Sequence, residues 1–259
     1  MHAPAGDRAG RPALARAMSI GRLTVNRWRR VLTGPCSMWD MAPRVSDLGH
    51  VSRYREAAAL HRNLYAHEHT MISNRRGRAL ARAAQAVVKE GVCGAIVDCG
   101  VWNGGSTIIL GSFAPEREVW AFDSFEGLPA PSPLDGSKSF RHVGDCLGSE
   151  QMLRAGFAAH NDPTRLHVVR GWFDQTFAKA RDQVGPIAVL HADGDWYASV
   201  KLTLETFYDQ VSPGGFIVID DYGHWIGAKK ATDDFRAAVG ESAPLQVADY
   251  SGRYWRKTG

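Results

Sequence analysis

The chain has 259 residues, 44% of them hydrophobic and 22% charged. That composition fits a globular α/β domain, excludes disorder over most of the length, and offers no apolar run near the ~18 residues of a membrane-spanning helix. The formal charge is +4, yet residues 1–39 hold seven arginines against one acid, so the other 220 residues sum to −2. The basic groups do not line the folded body, and nucleic acid is not an expected partner.

Residues 1–45 read as a basic extension rich in Ala, Arg, Gly and Pro, poorly ordered or serving as an oligomer arm. It has no apolar core of a secretory signal, although a transit peptide or an amphipathic helix over 18–32 would share its composition. Residues 46–259 form the expected domain, opening with lid helices. Helical spacing predicts a helix over Arg76–Glu90, then a buried strand at Ala95–Cys99 and a helix over Gly104–Phe113. A second strand is expected at Val119–Asp123, followed by a long Pro- and Gly-rich loop over Gly127–Asp145. A helix near 149–159, a strand at Leu166–Val169 and a helix over Phe173–Gln183 come next. Then follow a strand at Ile187–His191, a helix over Tyr197–Gln210, a strand at Phe216–Ile219 and a helix over Ala228–Val239. Two weaker strands close the chain near 244–249 and 253–256. Strands alternate with helices and the central strands are almost uniformly apolar. The expected architecture is a doubly wound, mostly parallel sheet covered on both faces.

Ligands of such sheets sit beyond the carboxyl ends of the strands, so the residues after each strand carry the functional signal. After the first comes Asp98-Cys99-Gly100-Val101-Trp102-Asn103-Gly104-Gly105-Ser106. The four-residue step from Gly100 to Gly104 is not a dinucleotide fingerprint, and no Walker A lysine follows. A strand-end acid followed by G-x-x-x-G suits the amino-acid part of S-adenosylmethionine, and a purely structural glycine turn gives the same pattern. Asp123, with Ser124 and Phe125 after it, is placed to accept hydrogen bonds from ribose hydroxyls, or is a solvated strand-end carboxylate. Gly171 and Trp172 follow the third strand and either border an adenine or belong to the core.

The ends of the fourth and fifth strands are the most informative. They carry Asp193-Gly194-Asp195 and Asp220-Asp221-Tyr222-Gly223-His224. Helix capping explains one such acid but not four converging at adjacent strand ends. Like charges held together raise one another's pKa or require a cation, and oxygen-only ligation suits Mg²⁺. Asp193, Asp220 and Asp221 are therefore the candidate metal ligands. His224 either reaches the same pocket as a catalytic group or caps a helix. His191, inside a strand, reads as a satisfied core histidine, and His67-Glu68-His69 as structural or substrate-proximal, because i,i+2 positions do not share a helix face. None of Cys36, Cys93, Cys99 and Cys146 forms a C-x-x-C pair. They read as small apolar residues kept reduced in a cytoplasm.

The segments VDCGVWNGGS (97–106), FDSFEGLP (122–129), HADGDWYAS (191–199), GGFIVIDDYGHW (214–225) and ATDDF (231–235) resemble the macrocin O-methyltransferase (TylF-type) family. His69-Thr70-Met71-Ile72-Ser73 and Tyr254-Trp255-Arg256 extend the resemblance over roughly residues 60–259. The resemblance implies a class I methyltransferase (Rossmann-like) fold: a seven-stranded sheet with helices on both faces and an antiparallel last strand. It implies methylation of a sugar hydroxyl on an antibiotic-type natural product, with S-adenosylmethionine and Mg²⁺. Asp193, Asp220 and Asp221 would bind the metal and Asp195 would be the general base. Thr70, Met71, Ser73, Asp98, Gly100, Gly104, Ser106, Asp123, Ser124, Phe125, Gly171, Trp172 and Asp193 would surround the cofactor. The first motif departs from the family's frequent Glu by having Asp98, and the loop 129–146 matches poorly, which places substrate choice there. A catechol-like acceptor, or a non-catalytic S-adenosylmethionine-binding protein, are the competing readings. The expected partner is a small hydroxylated molecule, the expected compartment the cytoplasm, and the expected state a homo-oligomer.

Overall fold

The structure is a computed structural model describing residues 51–136 and 142–258. The extension expected over 1–45 and the helix over 18–32 lie outside the described residues.

Helix α1 (Val51–Ala66) and helix α2 (Asn74–Lys89) precede the sheet. There follow β1 (Ala95–Cys99), α3 (Gly105–Phe113), β2 (Val119–Asp123), α4 (Glu150–His160), β3 (Leu166–Arg170), α5 (Phe173–Val184), β4 (Ile187–Ala192), α6 (Tyr197–Phe207), β5 (Val211–Ile219), α7 (Ile226–Val239), β6 (Gln246–Val247) and β7 (Arg253–Arg256). The strands form one seven-stranded sheet in the order β3-β2-β1-β4-β5-β7-β6. Pairing is parallel from β3 to β5, and β7 is antiparallel to both β5 and β6. The expected fold is the observed one.

Alternation along each strand divides the interior into two cores. Ile96, Ala121, Val189 and Val218 face one side, against Leu80, Ala84 and Val87 of α2, Ile108 of α3 and Phe157 of α4. Val97, Phe122, Leu190 and Ile217 face the other, against Phe177 of α5, Leu204 and Phe207 of α6 and Phe235 of α7. On that second face Phe177 stands edge-on to Phe122 and Phe207, with centroids 5.2 and 4.9 Å away.

The differences from the sequence reading have local causes. β5 begins at Val211 rather than Phe216, because Pro213, Gly214 and Gly215 imitate a turn; the register against β4 shifts between Ile187 and Val189 to absorb them. The helix expected over Tyr197–Gln210 stops at Phe207 and finishes as a 3₁₀ turn over Tyr208–Gln210. Strand β6 is only two residues long. Cys99 is buried in β1, whereas Cys93 is exposed before it. The long loop is fastened over its first half: Trp196 Nε1 donates to Pro129 O (2.9 Å), and the Tyr197 N–H at the start of α6 donates to buried Asp135 (2.6 Å).

Phe207 is fully buried in the aromatic core. Phe207→Ala is expected to cost about 3–5 kcal/mol, read as a lowered Tm. Val239→Ala, at a site 48% exposed on α7, should shift stability by no more than about 0.5 kcal/mol.

Candidate active site

The site is built by the register of three strands. Asp98 of β1 lies beside His191 of β4 in the parallel ladder. Period-two alternation puts Asp98 on the face of Ile96, His191 on that of Val189, and Asp220, the residue after β5, on that of Val218. All three therefore point toward the layer of α2 and α3.

Every oxygen of Asp98 is engaged there. Oδ2 accepts from Ser106 Oγ (2.8 Å) and Thr107 Oγ1 (2.7 Å), and Oδ1 accepts from His191 Nδ1 (2.7 Å). The other ring nitrogen of His191 donates to Asp220 Oδ1 at 3.3 Å. Burial would favour the neutral imidazole, but Asp98 and Asp220 outweigh it and raise the His191 pKa to about 9. His191 is a buried cation linking two strand-end carboxylates. It is the satisfied core histidine of the sequence reading, and its partners are two of the candidate site residues.

Asp220 is held from its other side by Arg76 of α2. The Arg76 Nη1 donates to Asp220 Oδ2, and its Nε donates to Asp249 Oδ2 at 3.1 Å. Burial alone would raise the Asp220 carboxyl; Arg76 and His191 overcome it and hold it below the usual carboxylate range. Asp193 and Asp221 behave oppositely. Burial and then repulsion from the neighbouring acids push both carboxyls well above the usual range. Asp193 lies within 4.8 Å of both Asp220 and His191, ligand atom to ligand atom. Both ring nitrogens of His191 are hydrogen-bonded to carboxylates, which leaves the oxygens of Asp193, Asp220 and Asp221 as the candidate donors to a cation.

Asp195 follows β4 in a left-handed backbone conformation (φ 55°). Its Oδ1 accepts from Trp225 Nε1 at 2.5 Å, and that indole packs edge-on to Trp196 with centroids 5.2 Å apart. His224 is exposed, its ring edge-on to Trp225 (4.5 Å) and Tyr250 (6.1 Å) at the rim.

The glycine turn is fixed by close approach. Gly100 has φ 88°, and a Cβ there would lie 1.7 Å from Asp193 O, so only glycine lets the ends of β1 and β4 meet. Gly104 caps α3 with no side-chain bond, leaving the first amides of the helix facing the turn. A Cβ on Gly105 would lie 2.3 Å from Thr70 Cβ and 2.5 Å from His69 O. The strap carrying Thr70 and Met71 thus crosses the start of α3. Asp123 accepts from the Trp102 N–H (2.8 Å) and the Phe125 N–H (2.7 Å) at the end of β2. Burial pushes its carboxyl up, and the N–H groups of Phe125, Trp102 and Val101 oppose that. Ser124 and Phe125 are buried in the turn that follows, and Phe125 is left-handed at φ 55°. The Gly171 N–H donates to Asp123 O (2.9 Å), which brings the end of β3 beside that turn, and Trp172 caps α5.

Some residues named from the sequence are engaged within the protein. Ser73 is the N-cap of α2, accepts from the Arg76 N–H (3.1 Å) and donates to Asp249 Oδ2 (2.6 Å). The hydroxyl of Ser106 is engaged with Asp98, as described. His67 donates to Asn63 O and His69 to Asn103 O, so each ring of the His-x-His pair is held by a backbone carbonyl. Arg76 and Asp249 were missed. Arg76 lies four residues before Leu80 and eight before Ala84, on the apolar stripe of α2. An arginine there requires a buried anion, and that was the available signal.

A mostly parallel seven-stranded sheet with an antiparallel seventh strand, a glycine turn after β1 and carboxylates after β4 and β5 defines a class I methyltransferase. The macrocin O-methyltransferase (TylF) family profile matches residues 45–257, and the chain belongs to that family. It is an O-methyltransferase. It is 34% identical over 204 residues to the 8-demethyl-8-(2,3-dimethoxy-α-L-rhamnosyl)-tetracenomycin-C 4'-O-methyltransferase of Streptomyces olivaceus, covering 73% of this chain and 76% of the relative. It is 32% identical over 219 residues to the demethyldecarbamoylnovobiocin O-methyltransferase of Streptomyces niveus, covering 80% and 83%. Among solved structures, the O-methyltransferase NovP superposes with a TM-score of 0.65 at 31% identity, covering 74% of this chain and 83% of that one. Among the described residues, no helix is long and apolar enough to cross a membrane.

Removing the carboxylate at the centre of the Ser106–Thr107–His191 cluster leaves a buried imidazolium with one anionic partner. Asp98→Ala should destabilise the fold by ~3–5 kcal/mol, measured by urea unfolding. A loss of less than about 1 kcal/mol would contradict the charged state of His191.

Proposed function

We propose that this enzyme transfers the methyl group of S-adenosylmethionine to a sugar hydroxyl of a glycosylated natural product, with Mg²⁺ at the carboxylate cluster. The observation that carries the reading is the convergence of Asp193, Asp195, Asp220 and Asp221 at the adjacent ends of β4 and β5 in a chain of this family. The Streptomyces olivaceus relative, a 4'-O-methyltransferase of a rhamnosylated tetracenomycin, supports the sugar acceptor.

The donor set fits a hard divalent cation. It is oxygen-only, and the Asp193 and Asp221 carboxyls are raised by burial and then by the neighbouring acids, a repulsion that a cation would relieve. Asp193, Asp220 and Asp221 would hold Mg²⁺, which when bound supplies Lewis acidity to orient the acceptor hydroxyl and lower its pKa.

The rest of the site positions two reactants. The uncapped start of α3 and the turn at Gly100–Gly104 receive the amino-acid end of the cofactor. Asp123 keeps acceptor capacity for a ribose hydroxyl beyond its backbone N–H partners, and Thr70, Met71, Ser124, Phe125, Gly171 and Trp172 border the same space. Asp98 and Ser106 contribute by fixing the shape of the turn. Methyl transfer from a sulfonium is an in-line displacement with a good leaving group, so alignment and removal of the acceptor proton are the work left to the protein. Asp195 takes that proton, its carboxylate aimed by the Trp225 indole N–H. His224, facing Trp225 and Tyr250, belongs to the acceptor rim.

Titration calorimetry with S-adenosylmethionine, followed by methyl transfer to deoxysugar glycosides and to catechols, tests the reading. Turnover of glycosides that is lost on chelation and restored by Mg²⁺ is expected; turnover of catechols alone would replace the acceptor class. Asp195→Asn should lower kcat by roughly 100-fold or more with cofactor affinity kept. Asp123→Ala should weaken cofactor binding instead.

A further inference from the structure

Arg76, from the second helix before the sheet, is bonded to the carboxylate cluster. It is 4% exposed, and it spans two buried acids: Asp220 through Nη1 and Asp249 through Nε. Its guanidinium also faces the Tyr250 ring, 5.7 Å from the centroid. Asp249 is itself anchored. Its Oδ1 accepts from the N–H groups of Ser251 (2.9 Å) and Gly252 (2.6 Å), and its Oδ2 accepts from Ser73 Oγ at the start of α2. A Cβ on Gly252 would come within 3.3 Å of Arg76 Nε, so the loop before β7 closes around the guanidinium.

Asp220 thereby accepts one cationic donor on each oxygen, Arg76 on Oδ2 and His191 on Oδ1. A carboxylate oxygen has room for two partners, so each keeps one lone pair for another ligand. The plane of the carboxylate is set by donors on opposite sides, from α2 and from β4, before any cation arrives.

We propose that Arg76 is a positioning residue of the metal centre. Clamped by Asp249, it fixes the orientation of Asp220 toward the cation shared with Asp193 and Asp221. This rests on the Mg²⁺ reading above. Two effects of Arg76 on cation affinity oppose each other. Its charge makes the cluster less negative and would weaken binding; its hold on Asp220 removes the reorientation that binding would otherwise require. The second dominates here, because Arg76 is bonded to Asp249 as well as Asp220, and that second anion offsets much of its charge at the cluster.

The test is Mn²⁺ binding to the full chain loaded with S-adenosylhomocysteine, followed through the electron paramagnetic resonance of free Mn²⁺. Arg76→Gln should weaken Mn²⁺ affinity by roughly 10–100-fold, with Arg76→Lys between it and the parent protein. Arg76→Lys keeps the charge and loses the two-point hold, so weaker binding there is a positioning effect and carries the test if Arg76→Gln does not fold; Asp249→Asn should weaken binding in the same direction through both the lost anion and the lost clamp. In each folded variant the affinity for S-adenosylhomocysteine should stay within about threefold. Unchanged or tighter Mn²⁺ binding in the folded variants overturns the positioning role while leaving the metal reading intact. Absence of Mn²⁺ binding by the parent protein overturns the metal reading, and this inference with it.

Discussion

A buried row of alternating charges runs through the middle of the domain: Asp98, His191, Asp220, Arg76, Asp249. Each member would be costly alone at such depth, and each is tolerable because its neighbours carry the opposite sign. The row constrains everything around it. β1 and β4 must keep their register for Asp98 to meet His191. Helix α2 must lie where Arg76 can reach β5. The loop before β7 must fold over the guanidinium. The candidate site lies at the margin of this structural network.

The same row explains why the four site acids differ. Asp220 has two cationic partners and is held ionised. Asp193 and Asp221 face mainly other acids, and their carboxyls are raised. Under the proposed function, a cation among them would relieve that repulsion.

The fold was legible because its strands obey one rule. β1 and β2 are short apolar runs ending in or next to an aspartate, and their observed limits are the expected ones. Where other chemistry intruded, the reading failed. Pro213-Gly214-Gly215 has the composition of a turn but lies in the first half of β5, which therefore begins five residues before the expected strand. The strand-end acids could be found because a parallel sheet tells a reader where to look. Their partners could not be found that way. Arg76 precedes β1 by a whole helix, and Asp249 sits beyond β5 in a loop with no periodicity. Pairing residues 173 positions apart is a tertiary fact. The one local trace was an arginine on the apolar stripe of α2, and strand alternation could have shown that Asp98, His191 and Asp220 share the face toward it.

The strap over His69–Ile72 lies on the start of α3 so closely that Gly105 has no room for a Cβ, and a few residues later the same segment delivers Arg76 to Asp220. A single stretch of eight residues is thus wired to both halves of the reaction centre. A chain beginning at β1 would retain all seven strands and all four strand-end acids, yet it would have neither the wall beside the glycine turn nor the counter-ion of Asp220. The contacts that complete this domain therefore start before the α/β repeat that defines its architecture.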